Sequence, residues 1–367
     1  MQSADSNRKT GIFYGTMAAS PRFQAAPETS MKLQQLRYLV EVAQSGLNVS
    51  QAALNLHTSQ PGVSKQIRLL EDELGIEIFV RNGKRVVGVT PAGERIVGIA
   101  RRVLLEARNL KDAGREFSDH AAGTLTLATT HTQARYVLPG IIPAFAKQYP
   151  QVKLTLHQGN PLDVAGEVVA GRADLAIATE RLEEFPDLFV LPCYQWNRSL
   201  VVPLGHPLLS QRKIQIKDLG DYPLITYDYS FTGRSKINQA FERAGIEPNI
   251  VLTALDSDVI KAYVELGMGV GIVASMAYDM ERDVGLKAID VSHLFEPSIT
   301  RMGIRRDSFL RRYVLDFIER FAPHLTAERV QAVMENRLDP ADLMTQIQLP
   351  LFTKSRSRKP SAHRQEK

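Results

Sequence analysis

Two groups of side chains in this 367-residue sequence carry hydrogen-bond donors at spacings that suit recognition of negatively charged partners. The first comprises Ser59, Gln60, Pro61, Ser64, Lys65 and Arg68, small, amide and cationic residues crowded into one short stretch. Gln60 can bond adenine through both of its amide atoms, Ser64 can donate or accept, and Lys65 can reach guanine or a phosphate. Arg81, Lys84 and Arg85 follow as a cationic cluster able to neutralise phosphates or enter a minor groove, although a solvated basic loop would look the same in isolation. The second group is Thr130, Thr132 and Gln133, neutral donors where a strand runs into a helix. Together with the free backbone N–H groups of a helix start they could cradle an oxyanion or carboxylate; plain helix capping is the competing explanation. Thr179 follows another strand and falls at the same sheet edge, Trp196 sits at a crossover between lobes with an indole N–H to donate, and Thr232 again precedes a helix.

Catalytic chemistry finds no comparable constellation. The eight histidines show no close metal-ligand pairing, and no nucleophile elbow, phosphate loop or paired-carboxylate motif is present. No metal and no cofactor are expected, and the chain does not read as an enzyme. His131 could act as a base, but beside capping threonines it more simply orients them or faces solvent. Cys193 lies among Leu191, Pro192 and Tyr194, which offer no means of lowering its pKa, so it reads as a buried inert thiol. The glycines of GMGVGIVAS at 267–275 follow a helix and precede a strand, the reverse of a dinucleotide fingerprint.

The elements that must position these residues are legible as a series. Leu36, Leu39, Val40 and Ala43 recur at helical spacing, and Gly46 ends that segment. Asn48 followed by Gln51 resembles a capping box opening a short helix. A third helix begins near Ser59 with Pro61 in its first turn; Val63, Ile67, Leu70 and Leu74 form its apolar stripe, leaving Pro61, Ser64, Lys65 and Arg68 opposite and Gln60 between. Two β-like runs at 77–81 and 86–90 flank Asn82-Gly83, a hairpin dipeptide, and make a wing. From Pro91 a long helix carries Ile96, Ala100, Val103, Ala107, Leu110, Gly114 and Phe117 at alternating threes and fours, a stripe that needs a partner; packing on a domain of its own chain is the competing explanation. Beyond Gly123 strands at 125–129, 153–157 and 174–178 alternate with helices at 133–148 and 163–170, the pattern of βαβ units on a parallel sheet; further strands are expected at 200–203, 224–227 and 250–254, with helices at 233–244 and 257–266.

The fold class is therefore α/β. The sequence divides into a flexible extension at 1–30, a winged helix-turn-helix at 31–90, a linker helix at 91–120, a two-lobed domain at 121–325 and a tail at 326–367, with lobe I at about 121–193 and 296–325 and lobe II at about 194–295. Met31 opens the helical pattern and is an alternative start. The net charge of +5 is compatible with a polyanionic partner, but part of the excess sits in Lys354, Arg356, Arg358 and Lys359 of the tail. A single cysteine fits a reducing compartment. No run approaches the roughly 18 apolar residues of a membrane span, and no secretory signal is evident, so a cytoplasmic location with no membrane partner is expected.

The segments LRYLVEVA at 36–43, SQPGVSKQIRLLEDELG at 59–75 and VTPAG at 89–93 together resemble the N-terminal domain of LysR-type transcriptional regulators. The resemblance implies a winged helix-turn-helix, dimerisation through the linker helix, a periplasmic-binding-protein-like second half with an effector cleft, and base contacts from Gln60, Pro61, Ser64 and Lys65. It also implies duplex promoter DNA as partner, self-association to homodimers or homotetramers, and contact with RNA polymerase. TTHTQARY at 129–136, AIATE at 176–180, LPCYQWNR at 191–198, FTGRS at 231–235, DVIK at 258–261 and FAPHL at 321–325 are similar to the branch of that family that governs sulfate assimilation and cysteine biosynthesis. For that branch the implied effectors are acetylserine and sulfate or related anions, with Thr130, Thr132, Gln133, Thr179, Trp196 and Thr232 as contacts. A regulator of another pathway with a different small anion, and a solute-binding protein matching only the second half, are the alternatives.

Overall fold

The computed structural model describes residues 31–83, 85–118, 122–229 and 234–352. The extension at 1–30, Lys84, Thr232 and the basic end of the tail at 353–367 lie outside the described residues. Two compact units divide the chain between Ala100 and Arg101.

The first unit holds α1 (Leu33–Gln44), α2 (Val49–Asn55), α3 (Gln60–Leu74), β1 (Phe79–Asn82), β2 (Arg85–Val89) and the start of α4 (Pro91–Ser118). Local chemistry sets its boundaries. Asn48 caps α2 by accepting from the Gln51 amide at 3.0 Å, but the reciprocal half of the expected box is missing because Gln51 turns to Asn55 instead. Ser59 caps α3, and Gly75 ends it in the left-handed region at φ 67° that a side chain rarely adopts. Val63, Ile67 and Leu70 are buried as the stripe predicts, whereas Leu74 is partly open. β1 and β2 pair antiparallel across Gly83, whose φ of +61° suits the hairpin.

In the second unit the chain runs β3 (Gly123–Thr129), α5 (His131–Tyr136), α6 (Ile142–Gln148), β4 (Val152–Gln158), α7 (Pro161–Val169), β5 (Leu175–Ala178) and β6 (Leu188–Trp196) through lobe I. It then passes through β7 (Arg198–Pro203), α8 (Ile216–Gly220), β8 (Leu224–Tyr227), α9 (Arg234–Arg243), β9 (Ile250–Ala254), α10 (Ser257–Glu265), β10 (Val270–Ala274) and β11 (Leu286–Asp290) in lobe II. β12 (Ser298–Arg305), α11 (Arg312–Phe321), α12 (Ala327–Met334) and α13 (Pro340–Gln346) return to lobe I. The sheet orders are β4-β3-β5-β12-β6 and β11-β7-β10-β8-β9. Leu125, Ile177, Phe145 and Phe317 centre one core; Leu200, Ile272 and Phe241 centre the other.

Five points of the sequence reading need correction. The sheets are mixed, because β12 comes back from lobe II and inserts antiparallel between β5 and β6. β6 escaped the sequence reading since it is buried on both faces and interrupted by Pro192, whose missing N–H falls at a register shift opposite Thr300 and Arg301. The helix expected over 133–148 breaks into α5 and α6, where Pro139 and Pro143 remove ladder donors. The lobe boundary lies at Asn197 rather than after Cys193, with Trp196 the last residue of β6. Finally, residues 326–352 are no tail: Thr326 caps α12, Asp339 caps α13, and Val330, Val333 and Leu343 are buried in the lobe I core.

From Arg101 onward α4 is fastened to lobe I by polar groups. Arg108 reaches Asp174 at 2.5 Å and the Gly171 carbonyl at 2.8 Å, Asn109 donates to the Asp307 carbonyl and accepts from the Phe309 amide, and Glu116 pairs with Arg311. The expected apolar stripe remains open at Leu110, 76% exposed, and at Gly114; the Phe117 side chain is outside the described residues.

Candidate functional site

On α3 the residues chosen from sequence form one open face. Gln60, Pro61, Lys65 and Arg68 are exposed, Ser64 is half-buried, and with Leu69 they line a shallow cavity of about 360 Å³. Helical periodicity explains this, since the buried Val63, Ile67 and Leu70 take the other side. Gln60 donates to Ser64 at 3.2 Å, a bond at the open face that an incoming base edge can replace. Ser59 is engaged as a cap, accepting from the Gly62 amide, so its place at the helix start is structural.

Arg81 departs from its expected role. Its guanidinium grips Glu71 of α3 with bonds of 3.2 and 2.7 Å, and the same buried carboxylate accepts from the Ile78 and Phe79 amides at 2.9 and 3.1 Å. A strongly hydrogen-bonded carboxylate 7% exposed holds such a cation more firmly than a phosphate in water would. Arg81 thus braces the wing against the helix. Arg85 is exposed and forms no salt bridge among the described residues.

The second site lies between the lobes. β3 and β5 are parallel neighbours, with Thr129 opposite Ile177, so Thr130 and Thr179 emerge from the same sheet edge. β6 ends there at Trp196, directly across from Ser298 at the start of β12. Lobe II faces this edge with Tyr227 at the end of β8, whose hydroxyl bonds Ser257 and accepts from the Ala274 amide, and which also takes a hydrogen bond with Thr132 of α5. Thr130, Thr132, Thr179 and Trp196 are all at least 95% buried. Among the described residues neither the Thr179 hydroxyl nor the Trp196 indole N–H has a hydrogen-bond partner. Leaving a buried donor unmatched costs about 1–3 kcal/mol, so two at one sheet edge mark a place that a polar guest would satisfy.

Gln133 does not serve this edge with its side chain. Its amide oxygen accepts from the Tyr194 hydroxyl, and its nitrogen donates to Thr300 at 3.2 Å, so it anchors α5 to β6 and β12. His131 lies 3.9 Å from Asp258 of lobe II, and Arg135 and Tyr136 of the same helix also bond that carboxylate. The helix that carries Thr132 is therefore also the helix that fastens the lobes to each other. Cys193 is fully buried, and burial pushes its thiol well up, in keeping with an inert group.

A cavity of about 280 Å³ opens beside Thr179 and is lined by Lys236, Ser298, Arg301, Glu180 and Glu183, with Arg301 paired to Glu183 at 2.6 Å. Sequence reasoning missed these residues, as well as Arg198 and Tyr227. Arg198 starts β7, donates to the Glu296 carbonyl and Ser298, and burial pushes its guanidinium down to about 10. Burial, followed by the nearby Arg198, also lowers the Lys236 ammonium. Both shifts show cations held in partly dry surroundings, a setting that welcomes negative charge.

Comparison with known proteins gives both halves a context. Residues 33–94 match the bacterial regulatory helix-turn-helix protein, lysR family, and residues 118–326 match the LysR substrate binding domain. The chain belongs to the LysR family. It is 50% identical over 304 residues, 83% of this chain and 99% of the relative, to the HTH-type transcriptional regulator SsuR of Burkholderia cenocepacia, and 51% identical over 301 residues, 82% of this chain and 93% of the relative, to the HTH-type transcriptional regulator CysB of Haemophilus influenzae. Among solved structures it resembles the cofactor-binding domain of the Cbl transcriptional regulator, at 42% identity and a TM-score of 0.56, covering 58% of this chain and 93% of that one. LysR-family proteins are DNA-binding transcriptional regulators, not enzymes; they bind promoter DNA and small effectors and form oligomers. The solute-binding alternative has no use for residues 33–94 and falls away. No helix of the described residues is long and apolar enough to cross a membrane.

Proposed function

We propose that this LysR-type regulator controls genes of sulfate assimilation and cysteine biosynthesis, and that its cleft answers to acetylserine or to sulfate and related anions. The observation that carries the reading is the pair of unmatched donors, Thr179 Oγ1 and Trp196 Nε1, buried at an edge shared with Thr130. Neutral donors bind an oxyanion without the large desolvation cost of a buried unpaired cation, and Lys236 supplies positive charge from the adjoining cavity, where Arg301 is paired with Glu183 at 2.6 Å. The relatives named CysB and Cbl point the same way.

The proposed mechanism is one of population shift. The guest touches both lobes, favours one relative arrangement of them, and so biases the oligomer toward the state in which α3 of each copy meets its half-site. RNA polymerase is the expected downstream contact. Calorimetric titration of the whole protein with acetylserines, sulfate and thiosulfate, repeated with promoter DNA present, tests the assignment. Micromolar to millimolar binding that alters DNA affinity supports it. Heat from an unrelated carboxylate alone, with none from these compounds, moves the protein to another pathway.

A further inference from the structure

β6 is an edge strand: β12 covers one side, and its outer side is open for pairing. The chain fills part of that opening with its own C-terminal segment. Beyond α13, Leu351 forms a parallel bridge with Gln195, the Gln195 amide donates to the Pro350 carbonyl at 2.9 Å, and the Phe352 amide donates to the Gln195 carbonyl at 2.7 Å. Phe352 also packs on the Tyr194 ring at 5.3 Å between centroids, where Phe321 of α11 packs at 5.7 Å. Tyr194 in turn donates to Gln133, the neighbour of Thr132 on α5, and Gln195 precedes Trp196.

We infer that residues 350–352 form a strap that positions the effector cleft, with Phe352 as its positioning residue. The strap holds the backbone at Gln195, one residue before the indole whose N–H is unmatched, and the aromatic contact sets the tilt of Tyr194 and through Gln133 the seat of α5. Neither connection touches the guest. Both fix the groups that do, at the end of the strand that leads into the crossover between lobes. A β-bridge of two hydrogen bonds and one ring packed on the outside of the lobe I core is small enough to be released without unfolding the lobe, whose core is built from the sheet, α11, α12 and Leu343 of α13.

The inference rests on the effector reading of the cleft, and its test keeps the two apart. Trp196 is the only tryptophan in the chain, so its fluorescence reports this corner directly and without any ligand. In the full-length protein, Phe352→Pro removes both the ring and the donating amide, Phe352→Ala removes only the ring, and Phe352→Tyr keeps both. Acrylamide quenching of Trp196 should rise severalfold in Phe352→Pro, rise less in Phe352→Ala and stay at the native level in Phe352→Tyr. Acetylserine or sulfate affinity, read by calorimetry, should fall in the same order, by about tenfold for the proline variant, as expected when the competent arrangement becomes a minor population. Unchanged quenching in Phe352→Pro overturns the inference whatever happens to its melting temperature. If the native protein binds none of the tested anions, the effector reading fails while the quenching series still decides whether the strap sets this corner.

Discussion

The face of α3 and the edge between the lobes are both lined by short hydroxyls, amides and cations, yet one is open and the other almost sealed. On α3 the donors Gln60, Lys65 and Arg68 reach into solvent, and Gln60 donates to the neighbouring Ser64. Between the lobes Thr130, Thr179 and Trp196 are buried, and two of the three have no mate among the described residues. Under the proposed function the difference matches the size of the partner. A duplex brings a long charged surface, so exposed side chains can settle on it and release its counterions, whereas a small anion must be recognised through a few contacts and needs donors fixed and dried beforehand.

Removing the Glu71 carboxylate would break the open site at its frame. Glu71→Ala leaves two buried amides and Arg81 without their acceptor and should destabilise the first unit by roughly 3 kcal/mol. Thermal unfolding checks this, and an unaltered melting curve would remove the brace from the argument. At the sealed site the expected sign is opposite. Thr179→Val deletes an unmatched hydroxyl at nearly constant shape, so stability should hold or rise by up to about 1 kcal/mol while affinity for the anion drops about tenfold. A joint loss of stability and affinity would show that Thr179 had an internal duty after all.

Lys65→Ala sharpens the contrast in the other direction. Affinity for promoter DNA should weaken, and the slope of log affinity against log salt should fall by about 1, with anion affinity in the cleft unchanged. The smallest effect concerns the contact between lobes. Burial works to raise Asp258, but its hydrogen bond with Tyr136 and the charge of Lys261 prevail and hold the carboxylate below its ordinary value. A depressed acid contributes stability above its unfolded pKa and loses it as the pH falls through the folded one. Melting temperature should therefore decline between about pH 5 and pH 3, and Asp258→Asn should flatten that part of the curve.

What could be read in advance followed from local signals. The α3 face was legible because its cap, its proline and its apolar period lie within a few residues of one another, and Thr130 and Thr179 because each directly follows a strand. The internal bonds of Gln133 were not legible since its partners are 61 and 167 residues away, nor those of Arg81 since nothing in the hairpin announces Glu71 on the preceding helix. Tyr227, Lys236 and Arg301 reach the cleft only through the packing of the two lobes, and no spacing in the sequence encodes that. The region after 325 is a different case. Thr326 before Val330 and Val333, and Asp339 before Pro340, were ordinary helix-start signals overlooked beside a basic terminus.

The four-donor seat of Glu71 also separates two tasks within the first unit. Because helix and hairpin are joined through a buried carboxylate, the exposed positions at 60, 61, 65 and 68 take no part in that joint. Exchanging them leaves the brace intact, so the chemistry of that solvent-facing strip and the stability of the frame beneath it can be varied separately.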